Sequence, residues 1–464
     1  CQASAKQMTG KLASEHAALT AEIALTTGDY ALAREHAEKA RRSRDDALKR
    51  RGIQALARCA QHRGDLAQAT ELLASLVERD PKDAAARANY AKALCAQGEF
   101  SEALTEAIKG TDESTPIEER FLSHEVAGLA NLYLGHAEEV AKHFESLPRL
   151  AKEAESLRLL GRAQGLRGML AQRQGELVAA AELYAEAAKN SLASGASHAA
   201  AVFNLNSATV QQRSARYADA LDSLQSALRQ LGRSSTPFQM AAAHCNRGNL
   251  LLSLGELAAA EEEARRALAL AETASEPRMH YYAYILLGDI AMRRHSLSDA
   301  AKRYRDALEL AEDNQLSDGL WARLALQEVQ AQSGSGNAKE LRERHPGDSA
   351  EQSAKSLASH ARVLLLLGEM SEGVAEELQA LCTQLQEEHD LDLGWQVAVL
   401  AARALQALGD ETGLRAALAR AAEIFQLVVQ QTPEAYLAGL RTHPEAQILE
   451  SLLLEERSER TISS

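Results

Sequence analysis

Aromatic residues make up only 4% of this 464-residue chain, and proline occurs just 8 times. No proline interrupts an otherwise clear helical period, and no stretch alternates apolar and polar residues as a half-buried strand would. No apolar run reaches the ~18 residues needed to cross a bilayer. The longest, around Val363-Leu364-Leu365-Leu366-Leu367, is far shorter. No cleavable signal peptide is visible. Cysteine is scarce and scattered: Cys1, Cys59, Cys95, Cys245 and Cys382 form no C-x-x-C pair. That pattern argues against a disulfide framework and fits small buried thiols in a reducing compartment. Positive charge is also short. The formal net charge of −14 argues against a general nucleic-acid binder, which needs a basic stripe. The acidic excess serves solubility, with a basic partner as the functional alternative.

Catalytic signatures are missing as well. There is no Gly-x-Ser-x-Gly elbow, His-Glu-x-x-His pair or kinase loop. Ser333-Gly334-Ser335-Gly336-Asn337-Ala338-Lys339 lacks the Gly-Lys-Ser/Thr core of a phosphate loop and reads as a hairpin turn. Cys59 and His62 are three apart, but no second ligand pair accompanies them, so no metal is expected. Glu261-Glu262-Glu263 reads as a solvent-facing run on an outer helix. The expectation is a chain with no catalytic residue, cofactor or metal.

What the chain does have is Ala, Leu, Glu and Arg, all strong helix formers, and a period. Gly175, Ala215, Gly255, His295 and Ser335 stand 40 residues apart, each at a turn. Two residues on come Leu177, Tyr217, Leu257 and Leu297, then the small residues Ala180, Ala220, Ala260 and Ala300. Ala187, Ala227, Ala267 and Ala307 follow seven later. Before the turns lie Gly168, Ala208, Gly248 and Gly288. Spacings of three, four and seven keep these anchors on one helix face. Small side chains at contacts let helices approach to the short end of the ~8–10 Å range. Each unit is therefore a helical hairpin that buries its apolar stripe only by stacking on the next, which makes a solenoid.

The pattern continues outward with looser spacing: Gly28-Asp29-Tyr30, Gly64-Asp65-Leu66, Gly98-Glu99-Phe100, Gly135, Gly368-Glu369-Met370 and Gly409-Asp410. It predicts an all-α chain of about eleven hairpins, roughly 22 helices. Residues 1–110 hold N-terminal hairpins, and 117–315 the central array, with a degenerate hairpin ending at Leu147-Pro148. Residues 316–348 form a degenerate seam, 349–431 further hairpins, and 432–464 a capping helix with a frayed tail. In that tail Thr432 is expected to N-cap a helix begun by Pro433.

The arrangement resembles the tetratricopeptide repeat, with its small residue in the first helix, its Gly-Asp/Glu-Tyr/Phe/Leu turn and its small residues five and twelve beyond. The 40-residue spacing is similar to the longer subclass found in kinesin light chains and bacterial regulators. The resemblance implies a right-handed superhelix whose first helices line a concave groove for a peptide or protein partner. In long-period members, groove asparagines bind extended peptides through the backbone, since an amide both donates and accepts. The matching slots here hold Asn206, Asn246 and Asn249, with Arg173, Arg213 and Arg293 beside them to supply charge-assisted bonds to anionic groups. Leu205, Leu250 and Leu287 are expected in the inter-helix core. The Pro433-Glu434 … Leu440-Arg441-Thr442-His443-Pro444 ending is similar to the one closing such arrays in large bacterial Ser/Thr kinases and ATPase-type regulators. The alternative to a free-standing scaffold is thus the C-terminal sensor or docking region of a signalling enzyme. A cytoplasmic location is expected. Cys1 in first position implies processing or a piece of a longer product, with an acylated envelope lipoprotein as the alternative.

Overall fold

The computed structural model describes residues 2–27, 29–232, 237–274, 277–314, 316, 319–334 and 350–463. Among them there is no strand, and 23 helices follow one another. They group into two compact units, 1–167 and 168–464.

Unit 1 contains α1 (Gln2–Thr27), α2 (Tyr30–Arg41), α3 (Asp46–His62), α4 (Leu66–Arg79), α5 (Ala84–Gln97), α6 (Phe100–Ile108), α7 (Ile117–Leu134) and α8 (Ala137–Glu153). The division between the units falls within α9 (Leu157–Arg173). Glycine and aspartate share the work at these turns. Gly64 takes φ +76°, and Asp65 then accepts from the Gln68 amide at 3.1 Å, capping α4. Asp29 and Asp83 cap α2 and α5 in the same way, each at 3.0 Å. Pro148 does not end its hairpin as the sequence suggested; α8 runs through it to Glu153. Beyond the proline, Leu150 and Ala151 are buried, and Glu153 accepts from Arg120 at 3.0 Å. Those contacts offset the lost amide bond of an interior proline.

Unit 2 continues with α10 (Leu177–Ala193), α11 (Ser197–Arg213), α12 (Tyr217–Leu231), α13 (Pro237–Ser253), α14 (Leu257–Ala274), α15 (Pro277–Arg293), α16 (Leu297–Asp313) and α17 (Gly319–Gln332). Then come α18 (Ala350–Leu367), α19 (Glu372–Glu387), α20 (Leu391–Leu408), α21 (Glu411–Gln431), α22 (Glu434–Arg441) and α23 (Pro444–Ser463). The 40-residue period is a repeated backbone event. Gly175, Ala215, Gly255 and His295 have φ of +79°, +57°, +79° and +58°. After each, the next amide reaches back to close the helix: Glu176 to Ala171, Arg216 to Gln211, Glu256 to Leu251 and Ser296 to Ala291, at 2.8–2.9 Å. This is the left-handed C-terminal closure of a helix, made four times in register. Ser335 lies outside the described residues, as does the part of the 316–348 seam from 335 on; Gly334 just before has φ +75°.

The small residues are where the helices touch. Ala180, Ala220, Ala260, Ala300, Ala187, Ala227, Ala267 and Ala307 are all 0% exposed. At Gly168 and Gly288 the slot before the turn receives a large side chain from 16 residues later, whereas at Gly248 it receives Leu286. A Cβ on Gly168 would meet the Tyr184 ring at 3.0 Å, and one on Gly288 the Tyr304 ring at 2.3 Å. In unit 1 a Cβ on Gly128 would lie 2.3 Å from Phe144. Helices α11, α13 and α15 pack side by side as an inner layer, each also packed on its outer partner α12, α14 or α16.

The last hairpins reach back to the array. A Cβ on Gly255 would lie 2.2 Å from the Gly439 carbonyl oxygen, so α22 touches the α13–α14 turn backbone to backbone. Residues 432–463 therefore give two helices with an inward contact. Thr432 ends α21 rather than starting α22: its hydroxyl donates to Val428 O at 2.7 Å, and Pro433 holds the N-cap position. Threonine here serves the outgoing helix, because the following proline disfavours helical backbone at residue 432.

Candidate functional site

Five of the six candidate residues sit on α11, α13 and α15 of unit 2, and Arg173 ends α9. Asn206 on α11 and Asn246 on α13 are half-buried, and Asn249, one turn beyond Asn246, is exposed. None of the three amides has a hydrogen-bond partner among the described residues. Asn246 and Asn249 are i and i+3 and share a helix face. Leu205, Leu250 and Leu287 are buried beneath them, 7%, 0% and 8% exposed.

The arginines fare differently from one another. Arg173 is exposed at the end of α9. Arg213 is committed within the chain: its Nε donates to Asp390 Oδ2 at 2.7 Å and its Nη2 to Glu388 Oε2 at 3.4 Å. Those carboxylates belong to the α19–α20 turn, where Asp390 is 2% exposed and also caps α20 through the Leu393 amide. Tyr217 Oη donates to Asp392 Oδ1 at 2.5 Å beside them. Burial pushes the Asp392 carboxyl up to about 6, against the Tyr217 bond that lowers it. Among the described residues Arg293, ending α15, makes only a 3.5 Å contact from Nη1 to Leu252 O, and its Nη2 is buried without a partner.

Sequence reasoning missed three features of this region. Glu263 is not solvent-facing: it is 4% exposed and takes His244 Nδ1 at 2.6 Å and Arg266 Nη1 at 3.1 Å. Burial works to raise its carboxyl, but His244, Arg247 and Arg266 outweigh that and hold it low. The helical period offered the signal, since Glu263 follows the buried Ala260 by three. Asp289 accepts from Tyr304 Oη at 2.7 Å and is pushed up to about 6 by burial. Glu445 of α23, 6% exposed, is held by Arg362 Nε and His443 Nδ1, each at 2.8 Å. Burial tends to raise Glu445, but Arg362 and His443 keep it well below the usual carboxylate range. His443 in turn meets the Trp395 ring edge-on at 5.0 Å. The His-Pro-Glu of the tail is thus a packing device, with Leu440 1% exposed beside it.

Among the described residues no three metal-ligating side chains converge, and no helix is long and apolar enough to cross a membrane. Cys245 and Cys382 are pushed up to about 12 by burial, so neither offers a thiolate near neutral pH.

The tetratricopeptide repeat family model matches residues 60–113. With the repeated turn and inner-layer geometry, that decides the architecture. This is a tetratricopeptide-repeat-like solenoid. Solved structures agree. A Rap protein complexed with Competence and Sporulation Factor superposes with TM-score 0.53 at 15% identity, over 76% of this chain and 99% of that one. The apo form of RapI gives 0.50 at 14%, over 75% and 98%. The apo quorum sensor NprR from B. thuringiensis gives 0.50 at 12%, over 83% and 99%. At these identities the likeness is one of fold. No curated protein matches the sequence.

Proposed function

We propose that unit 2 is a non-catalytic scaffold that holds an extended peptide or protein segment against its inner layer. The supporting observation is the row of Asn206, Asn246 and Asn249, three amides without a partner among the described residues on adjacent inner helices. An amide can pair with one peptide unit of a ligand as donor and acceptor at once, so such a row reads backbone rather than side chains. Arg213 belongs to this site as a wall: its guanidinium is already spent on Asp390 and Glu388. Arg293 is the arginine that keeps a terminal nitrogen without a partner among the described residues. The Rap protein complexed with Competence and Sporulation Factor shows that a solenoid of this fold can carry a bound factor.

The test is partner recovery. Asn206→Ala/Asn246→Ala, with unchanged thermal unfolding, should lose at least about tenfold in affinity for a partner captured by the wild type. Equal recovery would remove the groove from consideration. A second reading places the same groove in the C-terminal sensor region of a larger bacterial signalling enzyme. The Pro433-Glu434 to His443-Pro444 ending supports it, and the reading frame around Cys1 tests it: a kinase or ATPase module there is the expected result.

A further inference from the structure

Unit 1 carries a pair of imidazoles that the groove does not use. His124 on α7 and His143 on α8 turn their Nδ1 atoms toward each other at 3.1 Å, with ring centroids 5.2 Å apart and planes tilted by 58°. The two helices pack on each other as one hairpin, and both rings are half-buried rather than sealed off. The Thr111 main chain, in the α6–α7 loop, hydrogen-bonds the His124 ring. With Nδ1 turned to His143, that bond falls on Nε2. It holds the proton there and leaves the Nδ1 lone pair facing His143, as a carbonyl behind a metal-binding histidine does. Burial keeps both rings below the ordinary histidine range, so both are neutral near pH 7, the form a metal ion requires. The cations around them are engaged: Arg120 and Arg149 meet Glu153 at 3.0 and 3.4 Å, and Lys142 meets Glu139. Glu139 stands one turn before His143 and within Coulombic reach of it.

Two nitrogens 3.1 Å apart, each bonded to one ion at ~2.0–2.1 Å, subtend an angle of roughly 95–100° at that ion. That lies between the right angle of a square or octahedral site and the tetrahedral angle. We propose that His124 and His143 form a two-imidazole site for a divalent transition-metal ion of the Zn²⁺, Ni²⁺ and Cu²⁺ class, with water completing its coordination. The ion takes the place of the proton that the two Nδ1 atoms share. That proton passes through solvent to His143 Nε2, so both imidazoles stay neutral and no proton is lost. Imidazole suits these ions, whereas Mg²⁺ and Ca²⁺ want oxygen. Two protein ligands fall short of the full set of a structural zinc site, so the ion exchanges with solution and ties α7 to α8 while it is present. The two histidines stand 19 residues apart across the hairpin turn, so no short ligand motif marks them. Nothing in this site depends on the unit 2 groove.

The experiment uses the full chain, free of any purification tag and stripped with a chelator, titrated with Zn²⁺ by calorimetry at pH 7. Wild type should bind one equivalent, and excess Mg²⁺ should not displace it. His124→Gln and His143→Gln should each weaken that site at least about tenfold. His389→Gln, which alters an exposed imidazole of unit 2, should leave it unchanged. A second readout needs no variant: Cu²⁺ added to wild type at one equivalent should show magnetic coupling to two imidazole nitrogens. The proposal is overturned if no site fills at one equivalent, if the site survives in both His124→Gln and His143→Gln, or if His389→Gln weakens it equally. Displacement by Mg²⁺, which would place the ion on surface carboxylates, overturns it too, as does coupling to fewer than two imidazole nitrogens.

Discussion

At His295 the backbone takes φ +58° with an exposed imidazole where Gly175 and Gly255 stand in the neighbouring repeats. A side chain in the left-handed region costs roughly 1 kcal/mol, and an exposed one returns no packing. His295→Gly is therefore expected to stabilise the chain by about 1 kcal/mol, read as a higher urea midpoint with unchanged slope. Ala215, with φ +57°, should not benefit likewise, because its methyl is fully buried. Gly255 is the opposite case. A Cβ there would sit 2.2 Å from the Gly439 oxygen at φ +79°. Gly255→Ala should lose several kcal/mol, on the order of 3, from overpacking and strain together. A variant that melts as wild type does would mean α22 does not hold the α13–α14 turn. The glycine period was legible in the sequence because each of these positions needs one backbone angle. The partner of Gly255 was not, since it lies 184 residues further on and no local pattern marks it.

Between elements, the decisive contact is the α19–α20 turn on the end of α11. Arg213 meets Asp390 at 2.7 Å and Glu388 at 3.4 Å, and Asp390 is almost wholly buried. Removing the arginine takes the counter-charge from a buried carboxylate, a loss of about 3 kcal/mol. Arg213→Ala should thus lower the unfolding midpoint detected by Trp395, whose α20 begins at that turn. Arg213→Lys should recover little, because an ammonium cannot fork across two carboxylates. A lysine variant as stable as wild type would reduce the contact to a surface ion pair. The hairpins themselves followed from the sequence: spacing, small residues and capping aspartates all point the same way. Long-range ion pairs did not, because charge on a helix face says nothing about which face it will meet. Arg213 looked like a ligand contact by its slot alone, and Glu263 looked solvated by its neighbours alone. The nesting of Tyr184 over Gly168 and Tyr304 over Gly288 was legible in principle, since the interval of 16 is constant.

At the scale of the molecule, the two units can be observed separately, because both tryptophans of the chain, Trp321 and Trp395, lie in unit 2. Fluorescence therefore reports unit 2, while circular dichroism sees helices of both. Unit 1 carries a built-in acid sensitivity. His124 on α7 and His143 on α8 are half-buried with their Nδ1 atoms 3.1 Å apart. Burial, then the facing His143, Arg120 and Arg149, pull His124 down to about 4, while the Thr111 backbone works weakly the other way. His143 is lowered by burial, with Glu139 opposing and Lys142 assisting. A histidine depressed on folding adds stability above its unfolded value, near 6.5, and loses it as pH falls toward the folded one. Lowering the pH from 7 to 4 should accordingly remove roughly 2 kcal/mol from the α7–α8 hairpin. In unit 2, Asp289 and Asp392, both raised to about 6, gain as pH falls through the same window and offset His443, which burial lowers and which loses there. The midpoint seen by circular dichroism should then drop below the fluorescence midpoint as the solution is acidified. In His124→Gln/His143→Gln that gap should stop widening, while the fluorescence curve stays as in wild type. A gap that widens equally in the variant would show that the acid-sensitive groups of unit 1 lie elsewhere.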